Sequence, residues 1–184
     1  MHVYQNTFLR DTPVARDYFL FGLGTSGMKN SERDVFNNFF IQSGKVPGAV
    51  FGMKQAENIH EGGNILWGVK DGPEMKIDPF AKFRASPLFV ASKERYEAGW
   101  TTQDRVIDPK FVRPPGAQAA PVDLRLQADS PAVNTGQPVP AEWPDPLRAA
   151  DKDAPDVGAI PLGAEAWGVG VDGRIPLFGD GKMP

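Results

Sequence analysis

An asparagine-centred strand recurs along the first third of the chain. The repeated segments are 3–8 (Val-Tyr-Gln-Asn-Thr-Phe), 35–40 (Val-Phe-Asn-Asn-Phe-Phe) and, more weakly, 62–67 (Gly-Gly-Asn-Ile-Leu-Trp). Asn6 and Asn38 are 32 residues apart, and Asn64 follows after 26 more. With other short β-like runs between them, this spacing gives two or three strands per repeat, which is typical of one coil of a solenoid.

The repeated asparagines have a simple physical explanation in a solenoid. Equivalent residues of stacked coils lie about 4.8 Å apart, so an inward asparagine at a turn can hydrogen-bond to those above and below it. Asparagine also tolerates the left-handed backbone of a tight turn. The sequence therefore predicts a structural ladder of Asn6, Asn38 and Asn64. The alternative is that these segments are unrelated hairpin turns.

Composition supports an all-β fold. The chain contains 20 Gly and 18 Pro in 184 residues, which is too many helix breakers for a helical bundle, while 41% hydrophobic residues argue against disorder. A net charge of −3 gives no electrostatic basis for binding nucleic acid or an anionic membrane. With no Cys there is no disulfide framework, and no apolar run is long enough to span a bilayer.

The pattern divides the chain into three predicted parts. Residues 1–112 are expected to form the terminal coils of a right-handed parallel β-helix. A loop-rich strap follows at 113–163, where prolines are too frequent for central strands. Residues 164–184 form a Gly-rich tail. Because a strand-like segment follows Met1 at once, we expect a fragment or a late start codon, with further coils upstream in the parent.

A short helix is predicted near 87–97, on the outside of the coils. Ser86 and Pro87 suit the N-cap and first helical position, and Gly99 is placed to end the helix.

Further motifs follow the repeats in a fixed order. They are Asp108-Pro109-Lys110-Phe111, Asp123-Leu124-Arg125-Leu126, Ser130-Pro131-Ala132-Val133-Asn134-Thr135-Gly136 and Pro155-Asp156-Val157-Gly158-Ala159. Together with the asparagine strands, they resemble the C-terminal region of bacterial right-handed parallel β-helix proteins of the pectate-lyase-like superfamily. The resemblance covers most of residues 2–163. It departs after Ala159, where the family often has an aromatic residue and Glu.

These motifs are interpreted as structural. Asp108 is expected to start a turn that returns Phe111 to the core. Arg125, between two leucines, is expected to point outward from a half-buried strand. Asp156 is expected to accept the backbone N–H bonds that close the strap.

The resemblance implies a secreted or periplasmic protein that acts on polysaccharide, as a lyase or a glycoside hydrolase. The portion in this chain would be mainly structural, with the catalytic residues in upstream coils. The residues identify no cofactor or metal site, and only the resemblance would allow calcium. A non-catalytic glycan-binding or cell-surface β-helix is the main alternative, and a tailspike-like fibre is a weaker one.

No spaced catalytic signature stands out in the chain itself. A lyase needs a base and cationic groups, for which the weak candidates are Arg33, Lys54 and His60. A hydrolase needs two carboxylates about 5–10 Å apart, and stacking could bring together such a pair from Asp17, Glu32, Asp34 and Glu61. The two histidines, His2 and His60, are not expected to form a metal site because they belong to different coils.

Overall fold

A computed structural model describes residues 2–10, 19–21, 33–42, 49–51, 59–69, 78–85, 87, 103–116, 122–151 and 153–165. In these ranges the chain forms eleven strands, one α-helix and one 3-10 turn. The strands are β1 (His2–Tyr4), β2 (Thr7–Arg10), β3 (Phe19–Phe21), β4 (Arg33–Phe36), β5 (Phe39–Gln42), β6 (Ala49–Phe51), β7 (Ile59–Gly62), β8 (Ile65–Gly68), β9 (Arg105–Val106), β10 (Phe111–Arg113) and β11 (Asp123–Leu126). The helix α1 spans Pro79–Arg84 and the 3-10 turn spans Arg148–Ala150.

Most strands belong to three parallel sheets. Sheet A has the order β1-β4-β7, sheet B has the order β2-β5-β8-β9, and sheet C pairs β3 with β6. The chain visits A, B and C in turn, returns to A, B and C, and then enters A and B again. The expectation of a β-rich fold is confirmed at this level, since the described chain is mostly strands in parallel sheets with one short helix. None of the sheets in the described ranges closes on itself.

The strand register follows the repeat seen in the sequence. Val3 pairs with Val35, which pairs with Glu61, in sheet A. Thr7 pairs with Phe39, which pairs with Ile65, in sheet B. Each asparagine-centred segment is therefore the link between a strand of sheet A and a strand of sheet B.

A left-handed residue makes each of these links possible. Gln5, Asn37 and Gly63 have φ values of 49°, 55° and 68°, and each directly precedes one of the predicted ladder asparagines. Gly and Asn adopt this conformation most readily. The turn redirects the chain from sheet A to sheet B within two residues.

The predicted contacts between Asn6, Asn38 and Asn64 are present. Asn6 donates its backbone N–H and its Nδ2 to Asn38 Oδ1, at 3.1 and 3.0 Å. Asn38 makes the same two bonds to Asn64 Oδ1, again at 3.1 and 3.0 Å. Asn64 donates in the same way to Asp104 Oδ1, at 2.8 and 2.9 Å. The ladder thus has a fourth member, an aspartate that the sequence analysis missed.

Both faces of β5 and β8, the central strands of sheet B, are buried, as is usual for parallel strands, whereas Phe8 and Leu9 of the edge strand β2 are exposed. Phe39, Ile41, Ile65 and Trp67 form one core cluster with four residues of the later chain: Phe111, Leu126, Ala132 and Val157. The Phe39 and Phe111 rings meet edge to face, with centroids 5.1 Å apart. The antiparallel hairpin of β10 and β11 supplies Phe111 and Leu126, and so covers this face. In β11 Leu126 is buried and Arg125 exposed, as the alternation predicted.

The described helix α1 was not predicted, and it precedes the helix that was predicted near 87–97. Asp78 caps α1 by accepting a hydrogen bond from the Ala81 N–H at 2.9 Å, and Pro79 occupies the first turn. Asp-Pro therefore gives the same start signal here that was assigned to Ser86 and Pro87. Pro87 is helical, but the rest of the predicted 87–97 helix lies outside the described residues.

The loop-rich region runs across the turns between sheets A and B. Asn37 anchors it, since its Nδ2 donates to Gln137 O at 2.8 Å and its Oδ1 accepts from Gln137 N at 2.7 Å. Asp156 accepts the N–H groups of Asn134 and Leu162 at 2.7 and 2.6 Å, which is the closing role expected for it. We call residues 127–165 the strap. Of the predicted tail, 166–184 lie outside the described residues.

Candidate functional site

The outer side of sheet A carries a row of polar and aromatic residues. The register places His2 beside Asp34 and Asp34 beside His60, in one column across three strands. The His2 Nδ1 atom lies 2.6 Å from Asp34 Oδ2. Tyr4 pairs with Phe36 in the next column of the same face. His2 and His60 therefore hold the same register position on β1 and β7, the two strands that flank β4.

Trp143 of the strap packs on this row. Its ring centroid lies 4.1 Å from that of His2, 5.0 Å from Tyr4 and 6.3 Å from Phe36. Aromatic rings at such distances and tilts attract one another beyond the effect of burial alone. This cluster fixes the strap against the outer face of sheet A.

The loop that carries Trp143 is held by one arginine. Arg148 donates to the carbonyl oxygens of Pro140, Ala141 and Trp143, at 3.0, 2.9 and 2.9 Å. Its Nε also lies 3.8 Å from Asp145 Oδ2. Asp145 in turn accepts the Leu147 N–H at 3.0 Å. The loop is thus tied together by its own polar groups.

A cleft of about 150 Å³ opens between this loop and the first turn of the chain. We call it the ladder-top cleft, because Asn6, the first member of the ladder, lies on its wall. Its lining consists of Tyr4, Gln5, Asn6, Pro144, Asp145, Pro146, Leu147, Gly158, Ala159 and Pro161. The walls combine three prolines and a leucine with a few polar groups, which is the usual composition of a small-molecule site.

Two polar side chains define the chemistry of the cleft. The Tyr4 hydroxyl donates to Pro144 O. Burial, together with the nearby Asp145 carboxylate, raises the pKa of Tyr4, so the phenol keeps its proton. Gln5 Oε1 is buried and has no hydrogen-bond partner among the described residues.

A second unusual group lies at the far end of the ladder. Glu61 and Asp104 are both buried, each with 3% of its surface exposed. Both Glu61 carboxylate oxygens and Asp104 Oδ2 lack a conventional donor among the described residues. The two carboxyl groups face each other, and a shared proton would satisfy both.

Burial is the main reason why the pKa values of Glu61 and Asp104 are raised. It raises the pKa of Asp104 to about 7, although bonds from Asn64 and the charge of Arg84 oppose this shift. Burial, followed by the repulsion of Asp104, raises the pKa of Glu61 well above its usual range. Strongly shifted groups often mark functional sites. Here the pair is enclosed, so we assign it to the stability of the fold.

The weak catalytic candidates Arg33, Lys54 and His60 stay a prediction. Arg33 lies in β4 beside Ile59, and His60 lies in β7 beside Asp34, so they are not register partners. Lys54 lies outside the described residues. Nothing described thus supports these three as a catalytic group.

The two-carboxylate hypothesis is wrong for Asp34 and Glu61. Glu61 pairs with Val35, the residue after Asp34, so the two side chains point to opposite faces of sheet A. The other two candidates, Asp17 and Glu32, lie outside the described residues.

Asp104, Gln5 and Trp143 were not predicted from the sequence. A signal was present for Asp104, because a short strand begins directly after it, as a strand begins directly after each ladder asparagine. Gln5 shares the position of Asn37 and Gly63 before a ladder residue. Trp143 stands in a Pro-rich loop with no periodicity, and its partners are more than 100 residues away.

Among the side chains that the structure describes, no group of three or more His, Asp or Glu is placed to hold a metal ion. No described helix is long and apolar enough to cross a membrane. No protein-family model, curated protein or solved structure matches the chain.

Proposed function

We propose that the chain forms coils of a right-handed parallel β-helix in a secreted or periplasmic protein that acts on polysaccharide. In this proposal the coils and strap are mainly structural. The single observation that carries it is the repeated order of sheets A, B and C with residues 26 and 32 apart in register. A chain that returns to the same sheets at a fixed period builds a solenoid one coil at a time.

Three further features support this proposal. The ladder joins successive turns through side chains, as stacked coils require. The central strands of sheet B are buried on both faces and one face is covered by the hairpin and the strap, as expected for the end of a solenoid. The ladder-top cleft lies beside the aromatic cluster of His2, Tyr4 and Trp143, and a surface that combines aromatic rings with apolar walls suits a glycan.

A coil duplication tests the solenoid part of the proposal. A second copy of residues 33–58 inserted after Asn58 adds one full repeat and one further ladder asparagine. We expect this variant to unfold cooperatively and to be at least as stable as the original chain, since added coils contribute their own interfaces. Insertion of residues 33–45 is the matched control, and should abolish cooperative melting because it breaks the register. Equal behaviour of both variants in thermal melts would contradict a solenoid.

Affinity electrophoresis tests the carbohydrate part. We expect the chain to migrate more slowly in native gels that contain at least one of a set of uronic-acid-rich and neutral polysaccharides. Gels without polysaccharide and a non-binding reference protein provide the controls. The same polysaccharides, incubated with the chain, should yield no new reducing or unsaturated ends, because Asp34 and Glu61 face apart. Unchanged migration with every polysaccharide would refute glycan binding, and product formation would refute the structural role.

The alternative is a glycan-binding protein with no catalytic activity. The enclosure of Glu61 and Asp104 favours it, because these two neighbouring carboxylates cannot reach a polymer on the surface. A glycan-binding protein of this kind would bind polysaccharide without degrading it, both as this chain and with any further coils present. A polysaccharide-active protein would release products when all its coils are present.

A further inference from the structure

We infer that the edge of the molecule formed by β1, Asn6 and β2 binds a partner polypeptide, which adds a strand–turn–strand segment with an asparagine at the ladder position. We call this surface the acceptor edge. In the described chain β1 and β2 are the terminal strands of sheets A and B, each with a neighbouring strand on one side only. This binding site goes beyond the proposed function and does not depend on it, because only the observed strands and the ladder define it.

The acceptor edge carries a ladder oxygen that lacks the donors its equivalents have. Asn38 Oδ1 accepts the backbone N–H and the Nδ2 of Asn6, and Asn64 Oδ1 accepts the same two groups of Asn38. Asn6 uses its own Nδ2 to donate to Asn38 Oδ1 and Tyr4 O. No described residue donates to Asn6 Oδ1. Two donors are therefore lacking at the position where each later asparagine receives them.

The backbone at the acceptor edge shows the same incomplete pattern. A residue that follows a ladder position donates its N–H to the carbonyl of the preceding ladder asparagine, at 2.8, 2.8 and 2.9 Å: Phe39 to Asn6, Ile65 to Asn38 and Arg105 to Asn64. Thr7 is the equivalent residue of β2, and no described strand lies on its outer side. A parallel strand added in this register would accept the Thr7 N–H through its own asparagine carbonyl.

The edge strand β2 also exposes apolar side chains that are buried in the next strand. Phe8 and Leu9 are 44% and 38% exposed, whereas their register partners Phe40 and Ile41 are buried. The Phe8 and Phe40 rings are stacked with centroids 5.3 Å apart, and an aromatic residue in an added strand would extend this stack. Exposed apolar strand edges are natural templates for the addition of another strand.

The direction of the hydrogen bonds identifies the partner. A second copy of the chain, paired through the same edge, would bring Asn6 Oδ1 against another Asn6 Oδ1, with no donor between them. The opposite end of the ladder is not available, since Asp104 is buried and its Oδ1 already accepts two bonds from Asn64. The acceptor edge therefore selects a different polypeptide, which runs parallel to β1 and β2 and carries apolar residues after its asparagine.

Fluorescence anisotropy of a labelled peptide tests the inference. The peptide has the sequence of residues 33–42 with two added glutamates for solubility, because this segment already lies parallel to β1 and β2 and carries Asn38 at the ladder position. We expect saturable binding to the full chain. The Asn38→Asp peptide loses the Nδ2 donor and should bind about tenfold more weakly, as expected for the loss of one hydrogen bond.

The Asn37→Asp peptide is the matched control, since it has the same composition and charge as the Asn38→Asp peptide. It should bind as tightly as the original peptide, because position 37 is not the ladder position. Absence of saturable binding by the original peptide, or equal binding by the two aspartate peptides, would overturn the inference.

Two variants of the chain locate the binding at the acceptor edge. Phe8→Lys places a charge on β2, as natural sheets do to prevent strand addition, and should weaken peptide binding by about tenfold. Val112→Lys makes a similar change at an exposed apolar side chain of β10 and should leave binding unchanged. Full binding by a folded Phe8→Lys protein would overturn the inference. Should Phe8→Lys fail to fold, the two aspartate peptides still test the inference on the unmodified chain.

Sedimentation velocity tests a second copy of the chain as the alternative occupant. We expect the unmodified chain to form no dimer through the acceptor edge. A dimer that dissociates in Phe8→Lys and persists in Val112→Lys would overturn the inference, because a second copy would then occupy this edge.

Discussion

Asp104→Asn is expected to raise the free energy of unfolding near pH 8 and to reduce its dependence on pH, leaving the part that comes from the burial of Glu61. In the unmodified protein the Asp104 carboxyl lies buried against Glu61, with Asn64 and Arg84 as the other polar groups facing the pair. The substituted amide still offers an oxygen to Asn64. Its NH₂ group would donate to Glu61, whose oxygens lack a conventional donor. One of two mutually repelling charges disappears, and the ladder stays complete.

The direction of the pH effect follows from the raised pKa values. Asp104 titrates at about 7 in the folded protein, above its ordinary value of 3.8, and the Glu61 pKa is raised in the same direction. The folded state therefore holds protons that the unfolded state has already released. Stability is greatest below about pH 4 with respect to these groups, and it falls as the pH rises towards 7. The loss is of the order of a few kcal/mol, since one pKa unit corresponds to about 1.4 kcal/mol.

Urea unfolding between pH 5 and pH 8 measures this effect. The unmodified chain should lose stability across that range, and the Asp104→Asn variant should lose clearly less, because only the buried Glu61 still titrates. Asp153→Asn makes the same chemical change at an exposed strap position and should keep the profile of the unmodified chain. A profile in Asp104→Asn as steep as the original would show that this pair does not control the pH response.

Asn38→Ala is expected to destabilise the protein by roughly 3–5 kcal/mol, because it leaves several buried polar groups unpaired at about 1–3 kcal/mol each. Asn38 Oδ1 accepts two bonds from Asn6, and its Nδ2 donates to Val3 O and to Asn64 Oδ1. Its side chain therefore joins the asparagine-centred segments on both sides. The loss should appear as a lower urea midpoint.

Asn134→Gly is the matched control for this prediction. Asn134 is exposed and has a φ of 53°, a conformation that glycine adopts freely. We expect a change of less than about 0.5 kcal/mol, as at other exposed positions. A similar loss in both variants would show that the ladder bonds contribute nothing beyond an ordinary asparagine.

The sequence was most informative where structure depends on local pattern. The three asparagine segments recur at intervals of 32 and 26 residues, so the parallel register and the contacts of Asn6, Asn38 and Asn64 could be predicted from the repeated pattern. Asp156 and Arg125 were also placed in their roles, because a turn residue and a strand alternation leave local signatures. These features need only neighbours in sequence, or an identical segment one repeat away.

The candidate site depends on contacts that no local pattern encodes. Trp143 reaches His2 and Tyr4 only because the strap folds back across the whole chain. Gln5 becomes significant through the burial of a single oxygen, which depends on the path of a Pro-rich loop. Asp104 does not show the repeat in its residue type, because the other members of the ladder are asparagines. Its carboxylate nevertheless accepts the same two hydrogen bonds, from the backbone N–H and the Nδ2 of Asn64. Helix α1 was missed because Asp78 and Pro79 compete with a second, similar start signal nearby.

The ladder has a direction, and this has a consequence for how such chains can lengthen. Each asparagine donates two hydrogen bonds, from its backbone N–H and its side-chain Nδ2, to the side-chain oxygen of the next member of the ladder. Asp104 accepts two such bonds, but its carboxylate has no NH₂ group with which to continue the ladder. An inserted repeat must therefore carry an amide, whereas a carboxylate is accepted only at the receiving end. An aspartate in a column of asparagines therefore ends the ladder of side-chain hydrogen bonds. In related repeat sequences, the place where that column changes from Asn to Asp should mark where the stacking ends.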